Sequence, residues 1–156
     1  MDKISVSIIG SFKQFYSEIV QIKKIFEKND FKINSPLGNH ILKVGIPFVR
    51  FDSDDKEYSD ELIQTVTLER IFSSAAVYVY TPKGYIGRTT CYEVGRIIQK
   101  RQPIYFSEHP VDLPINVPND FVVSPDEFVN IVKSNNRKWL YDNSSNKLSE
   151  LENKIA

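Results

Sequence analysis

The side chain with the most chemical promise in this sequence is a carboxylate, Glu93, because of what precedes it. Ala75-Ala-Val-Tyr-Val-Tyr80 is a short run rich in β-branched and aromatic residues, the signature of a buried strand. Thr81 to Gly87 forms a loop punctuated by Pro82, Gly84 and Gly87. From Thr89 or Thr90 onward, Val94, Ile97 and Ile98 recur at helical spacing until Gln102-Pro103 closes the segment. A strand, a glycine loop and a helix N-terminus make a place where backbone N–H groups can receive an anion. Glu93 falls in the first turn of the predicted helix. Thr90-x-x-Glu93 is also the pattern of a capping box, in which the threonine takes the N3 amide and the glutamate reaches back to the N-cap amide. On that reading Glu93 starts a helix and does no chemistry, and the local pattern alone favours it because such boxes are common.

The other reactive types are sparse. Cys91 is the only cysteine, which excludes an internal disulfide and fits a reducing setting. It stands beside the predicted helix start, where a thiol pKa can fall, but no histidine is near in sequence and an inert packed residue is the better reading. His40 and His109 are the only histidines, so no Cys/His cluster exists and no metal or other cofactor is expected. Gly84 and Gly87 could simply supply turn geometry, and Tyr78, Tyr80, Tyr85 and Tyr92 could be ordinary packing.

Lys3 to Ile9 reads as a first strand ending at Gly10-Ser11-Phe12. Gln14 to Lys28 reads as an amphipathic helix with Phe15, Ile19, Ile22, Ile25 and Phe26 on one face. Phe31 to Asn34 is a second strand, so the chain opens with a right-handed βαβ unit. Ser35 to Tyr58 is broken by Pro36, Gly38, Gly45 and Pro47, with an extended piece from Ile46 to Phe51 and then Asp52, Asp54 and Asp55. A loop of this length is a lid over a site or a surface excursion with a small hairpin, and the residues leave both open. Ser59 to Ser73 reads as a helix capped by Ser59, with Leu62, Val66, Ile71 and Phe72 available for burial. Pro103 to Phe106 and Phe121 to Val123 are the fourth and fifth strands, joined by a proline-bearing connector. Ser124-Pro125-Asp126-Glu127 starts a helix that runs to about Lys133.

The alternation gives an α/β class, a flavodoxin/Rossmann-like three-layer sandwich around a mainly parallel five-stranded sheet. In such sheets ligands bind outside the carboxyl ends of the strands, where strand order reverses. Gly10 to Gln14 and Thr81 to Thr90 leave the two strands expected at that reversal and should converge on one cleft. The domain is expected to span residues 1–135 and a helical tail residues 136–156. In the tail Trp139, Leu140 and Tyr141 can dock on the body. Leu148, Leu151 and Ile155 form a stripe expected to pack on the core, with a subunit contact in a homo-oligomer as the alternative.

At 156 residues the chain is long enough for one sizeable core. Twenty basic and twenty acidic side chains cancel, which argues against nucleic acid or a membrane surface as the main partner. No apolar run approaches a membrane span, and Met1-Asp2-Lys3 leads directly into a strand, so a cytoplasmic protein is expected.

Ile-Ile-Gly-Ser-Phe after the first strand, with Thr-Pro-Lys-Gly-Tyr-Ile-Gly-Arg-Thr-Thr-Cys-Tyr-Glu-Val-Gly-Arg before a Gln-Pro-Ile-Tyr strand, resembles the nucleoside 2-deoxyribosyltransferase family and its deoxynucleoside monophosphate N-glycosidase relatives. The resemblance covers about Ile4 to Phe106, its most specific part being Glu-x-Gly after a strand and loop. It implies the same flavodoxin-like fold, a nucleoside or nucleotide as the small-molecule partner, and Glu93 as the nucleophile that attacks the anomeric carbon as the base departs. It further implies substrate contacts from Gly10, Ser11, Phe12, Gly84, Tyr85, Gly87, Arg88, Thr89 and Thr90, with Arg88 as a charge partner. A non-catalytic nucleotide-binding or sensor module of the same fold is the alternative.

The sequence departs from the family pattern at two positions. An aspartate or serine stands six residues before the family glutamate, and here that residue is Gly87. A second aspartate, on the helix before the third strand, assists the leaving base, and its place falls at about Thr67. Asp52, Asp54, Asp55 and Glu69 are the acids within reach of substituting for them.

Overall fold

The structure, a computed structural model, describes residues 2–37, 41–43, 50–51, 59–142 and 145–155. Its elements in chain order are β1 (Ser5–Gly10), α1 (Phe12–Lys28), β2 (Lys32–Ser35), β3 (Ile41–Lys43), β4 (Arg50–Phe51), α2 (Asp60–Phe72), β5 (Ala76–Tyr80), α3 (Arg88–Gln99), β6 (Ile104–Phe106), α4 (Pro125–Lys133) and α5 (Ser145–Ile155). A parallel sheet in the order β2-β1-β5-β6 forms the centre, and β3 with β4 makes a separate antiparallel pair. The chain moves one way from β1 to β2 and the other way from β2 to β5. Right-handed crossovers therefore put α1 on one face of the sheet and α2 and α3 on the other.

The sheet has four strands where five were expected. Phe121 closes a 3₁₀ turn that begins at Asn119, behind Pro118, so only Val122 and Val123 are left extended before Ser124 caps α4. What remains of a fifth strand is one parallel bridge, Phe106 to Val122, with Val123 N–H donating to the Phe106 carbonyl at 2.8 Å.

Aromatic side chains hold the α1 face. The Phe128 ring of α4 lies 5.0 Å from Phe26 of α1 and 5.1 Å from Tyr78 of β5, with Tyr105 of β6 at 5.8 Å. Phe128, Phe26 and Tyr78 are fully buried, and the Tyr78 hydroxyl donates to the Val123 carbonyl at 2.8 Å. On the opposite face α2 and α3 run side by side, their C-termini tied at the amino edge of the sheet. Gln102 Nε2 donates to the carbonyls of Ile71 (2.6 Å) and Ser74 (2.9 Å), and the Lys100 ammonium sits 5.1 Å above the Phe72 ring.

Two helix starts are where the capping residues put them. Ser59 Oγ accepts from Leu62 N–H and Ser124 Oγ from Glu127 N–H, each at 3.2 Å. Two expectations about burial fail. Leu62 is exposed on α2, whose buried side chains are Ile63, Leu68 and Ile71. In the tail, Leu151 and Ile155 are exposed and do not pack on the core. Leu140 is buried instead, Trp139 and Tyr141 pack beside it, and Trp139 Nε1–H donates to the Ile98 carbonyl at 3.2 Å. Arg101 stacks 4.9 Å over the Trp139 ring and reaches Glu152 of α5 at 2.8 Å. Among the described residues no helix is long and apolar enough to cross a membrane.

These placements separate core from tail experimentally. Phe128→Ala should lower unfolding stability by about 3–5 kcal/mol in urea titration, and Leu151→Ala should change it by less than about 0.5 kcal/mol.

Candidate functional site

The carboxyl ends of β1 and β5 are adjacent, with Gly10 opposite Tyr80 in register. A Cβ at Gly10 would stand 3.1 Å from the Tyr80 carbonyl oxygen and 3.2 Å from Ile19 Cδ1, so the position takes glycine because α1 and β5 close on it. The loops that leave these two ends converge as the topology requires. Gln14 Nε2 donates to the Tyr85 hydroxyl at 3.2 Å, and Phe15 meets Tyr80 and Tyr85 edge-on, each at 5.9 Å.

The segment after β5 is a braced turn. Thr81 is fully buried; its N–H donates to Ser107 Oγ at 2.8 Å and its hydroxyl to the Glu108 carbonyl at 2.7 Å. Pro82–Gly84 is a 3₁₀ turn in which Lys83 and Gly84 both have left-handed φ, 55° and 81°. The Lys83 N–H donates to a Glu108 carboxylate oxygen at 2.6 Å, and Val111 N–H donates to the Gly84 carbonyl at 2.9 Å. A side chain at Gly84 would run into the Val111 side chain and the His109 carbonyl oxygen at 2.7 Å, so space and φ both demand glycine.

α3 begins at Arg88, with Gly87 as N-cap and Cys91 N–H donating to the Gly87 carbonyl at 2.9 Å. The capping-box reading therefore fails: Thr90 is the third residue of α3, and Glu93 stands in its second turn, not its first. An extended glycine carries no side-chain signal of a cap, so the sequence pattern places the start too late. Neither Gly87 nor Ser11, the N-cap of α1, makes a side-chain cap, and the first turns of α1 and α3 hold no acid. α2 and α4 have both, in Ser59 with Asp60 and Glu61, and in Ser124 with Asp126 and Glu127.

Thr90, Glu93, Val94 and Ile97 make the buried stripe of α3. Glu93 is only 9% exposed, and among the described residues no donor or cation pairs with its carboxylate. Burial alone pushes its pKa up from 4.5 to about 7. Of the other residues expected to contact a substrate, Thr89 is half-buried, Arg88 and Tyr85 are exposed, and Ser11 and Phe12 are half-buried at the start of α1. Cys91 is half-buried, and burial followed by the charge of Asp112 pushes its thiol up, against any activated role.

Of the acids expected to assist, only Glu69 lies among the described residues. Glu69 is exposed in the last turn of α2, toward the amino edge of the sheet, and Thr67 is half-buried on the same helix. Asp52, Asp54 and Asp55 lie outside the described residues. Among the described residues no three His, Cys, Asp or Glu side chains are grouped so as to hold a metal. Sequence reasoning missed Glu108, although a polar residue two places past β6 belongs to the same sheet edge as the loop after β5.

No family model matches the chain. No curated protein matches it either. Among solved structures it is similar to the crystal structure of a conserved protein from Enterococcus faecalis V583, at 12% identity and a TM-score of 0.48. That match covers 67% of this chain and 63% of the other, so the chain spans less than two thirds of its neighbour's length.

The raised Glu93 pKa has a stability consequence of definite sign. Below about 4.5 both folded and unfolded chains hold the proton, and nothing is lost. Between 4.5 and 7 the unfolded chain gives up a proton that the folded chain keeps, so stability falls as pH rises and levels off above 7. Glu93→Gln should thus be more stable than the wild type by up to about 3 kcal/mol at pH 8 and equal to it at pH 4. Paired urea titrations at the two pH values check this, and a capping role would give a loss instead.

Proposed function

We propose that this chain is a nucleoside- or nucleotide-binding α/β protein of the deoxyribosyltransferase-like superfamily, and that it cleaves or transfers an N-glycosidic bond with Glu93 as nucleophile. The observation that carries this reading is the buried Glu93 carboxylate, unpaired among the described residues, on the helix that follows the switch-point loop. A carboxylate that burial disfavours gains from meeting positive charge, and an oxocarbenium-like sugar carbon supplies it. In the reaction Glu93 forms a bond to the anomeric carbon, the carbon–nitrogen bond breaks, and its electron pair leaves with the base, which takes a proton. Water or a second base then attacks the same carbon and releases the glutamate. Two helix N-termini without acids, those of α1 and α3, favour an anionic or hydroxyl-rich ligand beside it. Ser11, Arg88, Thr89 and Thr90 are its contacts on this reading.

Gly87 and the exposed Glu69 favour the second reading, a binding module that keeps the cleft without the leaving-group acid. Such an acid typically contributes ~10²–10⁴-fold, so hydrolysis without it is slow. One assay separates the two. Incubation with a panel of nucleosides, nucleotides and NAD should release free base from at least one, and Glu93→Gln should abolish release with ligand affinity largely intact. The wild-type rate should climb as pH rises through about 7, because only the ionised carboxylate attacks. Ligand binding without base release from either protein would leave the binding module.

A further inference from the structure

Two of the large apolar side chains that stand in solvent belong to one layer of the molecule: Leu62 of α2, 44% exposed, and Tyr92 of α3, 50% exposed. α3 also carries Gly95 in its middle, exposed and with nothing within 4 Å of an added Cβ, so packing within the chain does not ask for glycine there. The charged side chains of the two outward faces are sorted by sign. Glu61 and Glu69 are exposed on α2, and Arg88 and Arg96 on α3. None of the four has an ion-pair partner among the described residues.

The spacing on the two helices matches. Glu61 and Glu69 are eight residues apart, as are Arg88 and Arg96, which is about 12 Å along each axis. Both helices run from the carboxyl to the amino edge of the sheet, and the Lys100 ammonium over the Phe72 ring sets their last turns level. Counting back from that contact puts Glu69 and Arg96 about 5 and 6 Å up their helices, and Glu61 and Arg88 about 17 and 18 Å up. The layer is therefore an acidic ridge beside a basic ridge, with charges at the same two heights and Leu62 and Tyr92 between those heights.

We propose that this layer is the interface with a second copy of the chain, related by a two-fold axis parallel to α2 and α3. That axis lays α2 of each copy along α3 of the other. Glu61 then meets Arg88 and Glu69 meets Arg96, each pair twice, and Leu62 packs on Tyr92 beside the open space at Gly95. A two-fold perpendicular to the helices would instead lay α3 antiparallel on α3 and bring Arg88 toward Arg96 of the other copy, a like-charge contact. Nucleic acid is disfavoured as the occupant, because the acids of α2 stand beside the arginines and the charges of the chain cancel. With the axis along the helices, the carboxyl edges of both sheets face the same way and the two clefts open at one end of the dimer. The interface concerns assembly alone and holds whatever Glu93 does.

The test is sedimentation velocity of the full chain over rising concentration at low and high salt. A dimer that weakens as salt rises is expected. Glu69→Lys and Arg96→Glu each turn an attractive pair into a repulsive one, twice over by symmetry, and each should raise the dimer dissociation constant by about tenfold or more. An equimolar mixture of the two variants should associate nearly as well as the wild type, because every contact between positions 69 and 96 of unlike variants is then an opposite-charge pair. A loss of folding could not be rescued in that way. Leu62→Ala should weaken the dimer several-fold with unfolding stability of the monomer unchanged. A chain that stays monomeric at every concentration in low salt overturns the proposal. So does a dimer that neither charge reversal weakens, or one that both weaken and the mixture fails to rescue.

Discussion

Parallel pairing of β1 with β5, from Val6 opposite Ala76 to Gly10 opposite Tyr80, sets both the core and the cleft. Side chains alternate along these strands, so the register that sends Tyr78 into the cluster with Phe26 and Phe128 also ends the two strands level with each other. A slip of one residue would turn Tyr78 to the α2–α3 face and separate the loops that Gln14 and Tyr85 now join. Glycine at position 10 belongs to the same constraint. The Tyr80 carbonyl and Ile19 stand so near that a side chain there would force one of them to shift by a few tenths of an ångström. Packing and site geometry are therefore one problem in this chain, solved at one pair of strands.

The parts of the fold legible in the sequence are those that advertise themselves through side chains. Ser59 and Ser124 cap α2 and α4 with their hydroxyls, and acids follow in the first turn, so both starts could be read directly. α3 starts on Gly87, which offers no side-chain signal, and Thr90-x-x-Glu93 imitated a cap three residues past the true one. The fifth strand failed for a related reason. Phe121-Val122-Val123 has strand composition, but the turn at Asn119 consumes its first residue and Ser124 ends it. Convergence of the two loops was legible because it follows from strand order alone. The clasp from Glu108 was not, because it depends on where β6 delivers its next residues, a tertiary fact with no local pattern.

Stability is given up at several points around the same helix end. Glu93 is buried without a partner among the described residues, and Lys83 holds a left-handed φ beside its bond to Glu108. The first turns of α1 and α3 forgo the acids and side-chain caps that α2 and α4 use. Departures from local preference that gather in one place, while the rest of the fold obeys it, are the pattern of a site built for something other than folding.

Gly87 sharpens that argument. Its φ of −79° and ψ of 168° are open to any residue, unlike the 81° of Gly84, so the backbone does not demand glycine there. Space does not demand it either, since the nearest atoms to an added Cβ are those of the Tyr85 ring at ordinary contact distance, 3.7 and 4.0 Å. A serine or aspartate at this N-cap would strengthen α3, yet neither is present. What a longer side chain would meet is the hydroxyl that joins Tyr85 to Gln14. The place where the family that the sequence resembles carries its acid or hydroxyl is here the place beside which the Tyr85 hydroxyl lies. Absence of a side chain at 87 and presence of the tyrosine two residues earlier are thus one structural choice: room at the head of α3 is given to the Tyr85 side chain, whose hydroxyl bonds Gln14 of α1, instead of one that caps the helix.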